Sequence, residues 1–114
     1  MMKTEVIWKS IPGYENEYLA SNTGLIKSIK FGKERILKPH KAGYGYEMLG
    51  LSHNGNIRQY YVHRLVAMTF LPNPENLSDV NHKDEDTTNN NVENLEWCSR
   101  SYNINYGNRN HAVS

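Results

Sequence analysis

Apolar positions recur in short alternating bursts up to about residue 62, take up a helical spacing there, and return as short runs after residue 79. Glu5–Lys9 reads as a strand closed by Ile11-Pro12-Gly13, a turn-forming break. Residues 14–28 read as strand, tight turn at Asn22-Thr23-Gly24, strand. A second hairpin spans 43–62 and turns at His53–Asn56, because Asn-Gly between β-rich runs favours the left-handed backbone of a two-residue loop. Val62, Leu65, Val66 and Phe70 then share one face of a helix that Pro72 and Pro74 end. A short run reaching Asn81-His82, a polar turn and the run Asn94–Cys98 predict two further strands. Ser99 is placed to cap a helix carrying Asn103 in its first turns. Tyr106-Gly107 is expected to stop that helix, with 108–114 polar and loose. The pattern is α+β: N-terminal antiparallel hairpins, a linking helix, then strand, loop, strand and short helix.

Composition narrows the function classes. With 114 residues and 38% apolar content, one small domain is expected. No apolar run approaches the roughly 20 residues of a membrane-spanning helix, so no membrane is expected. The first ten residues hold no apolar secretion segment, which predicts a cytoplasmic protein. Cys98 is the single cysteine, which excludes an internal disulfide and a four-cysteine zinc site, and the five histidines show no close pair for a compact zinc motif. Net charge is only +1, yet residues 1–71 hold ten Lys and Arg against five acids while residues 72–114 hold three against seven. A basic front suits phosphates and an acidic rear suits a divalent cation, although ordinary variation in a small protein gives the same sorting.

The stretch Val80–Asn103 carries the chemistry. Val62-His63-Arg64-Leu65-Val66-Ala67, Asn81-His82-Lys83-Asp84 and Asn94-Leu95-Glu96-Trp97 stand in this order over about forty residues and resemble the HNH endonuclease family, in its phage and intron homing branch. The resemblance implies a ββα-metal fold whose three signature positions are His82, Asn94 and Asn103. Upstream, Trp8–Glu15, Tyr18 and Ser21-Asn22-Thr23-Gly24 resemble the NUMOD4 motif, implicated in DNA binding. Residues 1–41 would then form a basic DNA-binding region, and 42–114 the hairpin, helix and nuclease core of what is expected to be one compact unit.

Phosphodiester hydrolysis needs a base to take a proton from water and a cation to stabilise charge on the leaving oxygen. Neutral His82 fits the base, since an imidazole titrates near operating pH. Asn94 joins it in the catalytic set by tying down the loop between the strands. Asn103 and Asn81 are the expected ligands for Mg²⁺ or Mn²⁺, which accept oxygen donors. Many family members carry Asp where this chain has Asn81, which removes a negative charge. Asp84 and Asp86 lie near enough in sequence to restore some of it, with no direction fixed for either. The family's structural zinc, held by two CxxC pairs in some relatives, is not expected.

Lys27, Lys30, Lys33, Arg35 and Lys38, on a turn-containing ribbon, are candidate phosphate contacts, with His63 and Arg64 at the start of the linking helix. A solvated surface hairpin and a structural Arg64 salt bridge are the plain alternatives. The Tyr-rich strand faces favour packing over stacking on bases.

The function expected is metal-dependent cleavage of DNA, nicking duplex as a monomer or cutting both strands as a homodimer. In a phage or mobile-element protein this takes place in a bacterial host. Longer relatives continue into a helical DNA-reading module, so site recognition here is expected from the front half, from a second copy, or to be relaxed. The rivals are a DNA-binding protein of the same fold that does not cut, and a protein-interaction module.

Overall fold

The computed structural model describes residues 5–105 as three small antiparallel sheets around one helix. The first sheet runs β1 (Trp8–Ser10), β2 (Tyr18–Ser21), β3 (Ile26–Ser28) and β4 (Arg35–Ile36) in sequence order. The second comprises β5 (His40–Lys41), β6 (Glu47–His53) and β7 (Asn56–Tyr61). Helix α1 (Val62–Phe70) follows, then the pair β8 (Asp79–His82) and β9 (Leu95–Cys98), and finally α2 (Arg100–Asn105). This is a mixed α+β architecture of hairpins, linking helix and ββα unit.

The local signals explain most boundaries. At the β6–β7 turn Asn54 (φ 52°) and Gly55 (φ 82°) both adopt the left-handed conformation, as a two-residue hairpin loop demands. Helix α1 covers the span its apolar spacing predicts. Ser99 caps α2, its Oγ accepting from the Tyr102 N–H at 3.2 Å. The first strand starts at Trp8 rather than Glu5, because the Asn22 side chain takes the place of a ladder partner: its Oδ1 accepts from the Ile7 N–H and its Nδ2 donates to the Glu5 carbonyl. The expected helix stop at Tyr106-Gly107 and the tail 108–114 lie outside the described residues.

One hydrophobic cluster joins all parts. Leu65, Val66 and Ala67 of α1 are fully buried against Ile11, Ala20 and Ile26 from the first sheet, Leu49 and Leu51 from β6, and Val80 and Leu95 from the ββα unit. Truncating a side chain so placed, as in Leu65→Ala, costs about 2–5 kcal/mol. The tyrosines pack as the sequence favours: Tyr14 meets Tyr18 and Tyr60 edge-on at 5.6 and 5.9 Å. The β8–β9 hairpin therefore sits on a core that the strands of the first sheet help to build.

Candidate functional site

Register fixes which way the β8–β9 side chains point. Val80 pairs with Trp97 and His82 with Leu95, while Asp79 pairs with Cys98 and Asn81 with Glu96. Opposed residues share a face and neighbours alternate, so the hairpin has two distinct sides. Val80, Leu95 and Trp97 face α1, where Trp97 Nε1 donates to the Leu71 carbonyl. Asp79, Asn81 and Glu96 face α2.

His82 ends β8 on the α1 side and is 2% exposed. Its ring lies 4.7 Å from that of His63 and 5.7 Å from that of Tyr46, and its Nε2 is 2.8 Å from Asn90 Oδ1. His63, expected at a DNA-facing helix end, is instead 1% exposed between Tyr46, Tyr61 and His82. Burial, then the neighbouring charge of His82, then that of Arg64, push its pKa down to about 3, so it is neutral at physiological pH.

On the other side, Asn81 and Asn103 are both buried, and the structure brings each to a carboxylate. Asn81 Nδ2 donates to Glu96 Oε2 at 2.8 Å, and Asn103 Nδ2 to Asp79 Oδ2 at 3.3 Å. Arg100 Nη2 lies 3.8 Å from Asp79 Oδ1, and the Tyr102 hydroxyl donates to Glu96. The result is an oxygen-rich face of two amides and two carboxylates. Among the described residues no three His, Cys, Asp or Glu side chains gather into a metal-holding group, so the amides would carry part of any coordination. Strand alternation sets this face opposite the one that carries His82.

The loop between the strands is organised by its own side chains. Asn94 donates from Nδ2 to Asp84 Oδ1 and the Asn89 carbonyl, and its Oδ1 accepts from the Asp84 N–H, all at 2.9–3.0 Å. Asp84 also accepts from Asn89 Nδ2 and the Asp86 N–H, and Asp86 from the Thr88 N–H and hydroxyl. These bonds, that from Asn89 foremost for Asp84 and those from Thr88 for Asp86, hold both carboxyls below the usual carboxylate range. Both acids are turned into the loop they stabilise.

The basic candidates divide. Lys27 pairs with Glu34 at 3.0 Å and lies 4.4 Å from the Trp8 ring centroid, and Lys30 Nζ donates to the Ser52 carbonyl and hydroxyl. Arg64 donates to the Ser78 carbonyl at 2.8 Å, and its guanidinium carbon lies over the Trp97 ring, 5.6 Å from the centroid. Lys33, Arg35 and Lys38 are exposed, and Lys33 and Arg35 line a cleft of about 930 Å³ between the first two sheets. Asn90, Glu47, Asp79 and Glu96 carry no local signal of a site, because their partners are set by strand register and by contacts from 24 to 43 residues away. Asn89-Asn90-Asn91 lies within the polar turn between the strands, where nothing local sets Asn90 apart from its neighbours.

Comparison with known proteins matches residues 60–104 to the HNH endonuclease family and residues 7–52 to the NUMOD4 motif. The chain is 42% identical over 97 residues to DNA endonuclease I-HmuI of Bacillus phage SP01, covering 85% of this chain and 55% of that protein. It is also 42% identical over 99 residues to an uncharacterized HNH endonuclease of Acanthamoeba polyphaga mimivirus, covering 87% of this chain and 29% of the relative. A solved structure described as DNA binding and cleavage by the HNH homing endonuclease I-HmuI matches with a TM-score of 0.78 at 40% identity, over 92% of this chain and 62% of that one. The chain thus spans 55% or less of these two curated relatives. On its two matched segments, these relatives and the shared fold, the chain belongs to the HNH endonuclease family, with a NUMOD4 motif ahead of its HNH domain.

Proposed function

We propose that this chain hydrolyses a DNA phosphodiester, nicking duplex, with His82 as general base. The observation that carries the reading is the placement of a buried imidazole, anchored through Nε2, at the end of a strand whose other face gathers amide and carboxylate oxygens. A neutral imidazole takes the proton of an attacking water, and its pairing with Asn90 keeps the ring from turning away as it does so. Because Asn81 and His82 point to opposite faces, a phosphate reached by both lies across the C-terminal end of β8. The loop closed by Asn94 begins there.

The donor set fits a hard divalent ion such as Mg²⁺ or Mn²⁺: Asn81 and Asn103 would hold it, with Glu96 and Asp79 supplying negative charge on the same face. Such an ion supplies the charge that stabilises the leaving oxygen. Lys33, Arg35 and Lys38 are the exposed cations that would meet phosphates flanking the cut. One ββα unit makes one cut, so a monomer nicks and a homodimer, or two events, severs both strands. The substrate would then be DNA in the cytoplasm of a bacterial host, a reading supported by relatives from Bacillus phage SP01 and Escherichia phage T5. Among the described residues no helix is long and apolar enough to cross a membrane.

The test is incubation with supercoiled plasmid and Mg²⁺ or Mn²⁺. A relaxed product that a His82→Ala control fails to make supports the enzyme. A second reading, a DNA-binding protein of this fold that does not cut, is favoured by one observation: Asn81 is neutral and already engaged with Glu96. Retention of DNA without nicking in either metal would decide for it.

A further inference from the structure

We infer that Asn90, oriented by Glu47, is a positioning residue that selects the imidazole tautomer of His82, placing the proton on Nε2 and the lone pair on Nδ1. Three side chains form a relay from β6 to the imidazole. Glu47, on β6, accepts at Oε1 from Asn90 Nδ2 at 3.0 Å. A carboxylate only accepts, so the Asn90 amide must turn its NH₂ to Glu47 and its oxygen the other way. That oxygen lies 2.8 Å from His82 Nε2. A carbonyl oxygen only accepts as well, so Nε2 must carry a hydrogen, and in a neutral ring the basic lone pair falls to Nδ1.

Asn90 cannot drift out of this relay. It is 4% exposed, and the turn at Ser21–Gly24 is built against it. The Asn22 carbonyl accepts from the Val92 N–H at 2.9 Å. A Cβ on Gly24 would lie 2.9 Å from the carbonyl carbon, carbonyl oxygen and Cβ of Asn90, so the close approach is open only to glycine. The NUMOD4 turn, against its backbone, and the second hairpin, at its amide, therefore converge on one residue of the HNH domain. The Ser-Asn-Thr-Gly turn acts here as a buttress for the base, whatever the rest of its motif does on DNA.

The inference rests on the proposed role of His82 as base, yet it is read without any cleavage. Long-range ¹H–¹⁵N correlation spectra of the whole chain distinguish the protonated from the unprotonated ring nitrogen of His82. The wild type is expected to show protonated Nε2 as the dominant neutral form. Asn90→Ala should mix the tautomers. Glu47→Gln, which leaves the Asn90 side chain in place but lets its amide turn over, should mix them too. In the plasmid assay both variants should lose kcat by at least about tenfold with KM for DNA unchanged, since a wrong tautomer at a catalytic imidazole costs up to about 10⁴-fold. A wild-type His82 protonated on Nδ1, or tautomer ratios that neither variant alters, would overturn the inference. The expected spectra from a protein that never nicks DNA would uphold the relay and sink the nuclease reading instead.

Discussion

The imidazole of His63 lies against that of His82, ring centroids 4.7 Å apart, with both side chains inside the protein. Among the described residues His63 Nε2 has no hydrogen-bond partner, and burial, foremost, with His82 and Arg64, pushes the pKa down to about 3 from an ordinary 6.5. In the unfolded chain the same ring takes up a proton near pH 6.5. The folded form thus binds fewer protons below that point, and stability present above pH 6.5 is lost as pH falls toward 3. One such group gives a slope of about 1.4 kcal/mol per pH unit. We expect urea unfolding between pH 6.5 and about 5, above the carboxylate range, to show this decline in wild type and a flatter profile in His63→Phe. Equal slopes would refute it.

Gly24 offers a test of how tightly the N-terminal turn grips the nuclease loop. Gly24 has φ +96° and Asn90 backbone atoms within 2.9 Å of a would-be Cβ, whereas Gly13 has φ +87° and open space. Ala at either site is strained by the left-handed backbone, at about 1–2 kcal/mol. Gly24→Ala adds a steric clash and should lower the melting temperature further than Gly13→Ala and depress nicking, which Gly13→Ala should spare. Matching losses of stability in the two variants would mean that the contact with Asn90 is slack.

Much of this architecture is legible in the sequence because the deciding interactions are local. The spacing of Val62, Leu65, Val66 and Phe70 sets α1, Asn54-Gly55 sets its hairpin, and Ser99 sets the start of α2. Side-chain destinations are less legible. Lys27 and Lys30 look like Lys33 and Lys38 in the sequence, yet Trp8 and Glu34 take the first and Ser52 the second. His63 stands beside Arg64 at a helix start, and only the return of β8 past that helix shows that it is enclosed. Asn90 hides in a run of three asparagines, and its distinction comes from Glu47, 43 residues away.

The same division among the lysines predicts two kinds of binding defect. Exposed Lys33 and Lys38 are available to phosphates, and each phosphate contact contributes roughly one unit to the slope of log affinity against log salt. Lys33→Ala/Lys38→Ala should flatten that slope by about two for duplex DNA while leaving the melting temperature unchanged. Lys30→Ala instead removes the bonds to Ser52 and the contact with Tyr18 at 4.9 Å. It should lower stability by about 1–3 kcal/mol and change the salt slope less than the double variant. Shift assays at several salt concentrations, paired with thermal melts, separate the two.

Asn81 is where charge and metal demand meet. Its Nδ2 donates to Glu96 Oε2 at 2.8 Å, so Asn81→Asp exchanges an amide–carboxylate bond for two facing carboxylates. Without divalent metal the variant should melt lower, since like charges at that distance destabilise a half-buried pair and a lost bond to a charged group costs about 1.5–3 kcal/mol. With Mg²⁺ or Mn²⁺ the order should reverse, because the extra negative charge draws the cation to the face that holds Asn103 and Asp79. We expect the metal concentration for half-maximal nicking to fall by about tenfold, equivalent to ~1.4 kcal/mol of added cation affinity. The rise in melting temperature on adding metal should exceed that of wild type. If the variant melts lower and metal fails to restore it, the oxygen-rich face between β8 and α2 is a structural network and the cation sits elsewhere.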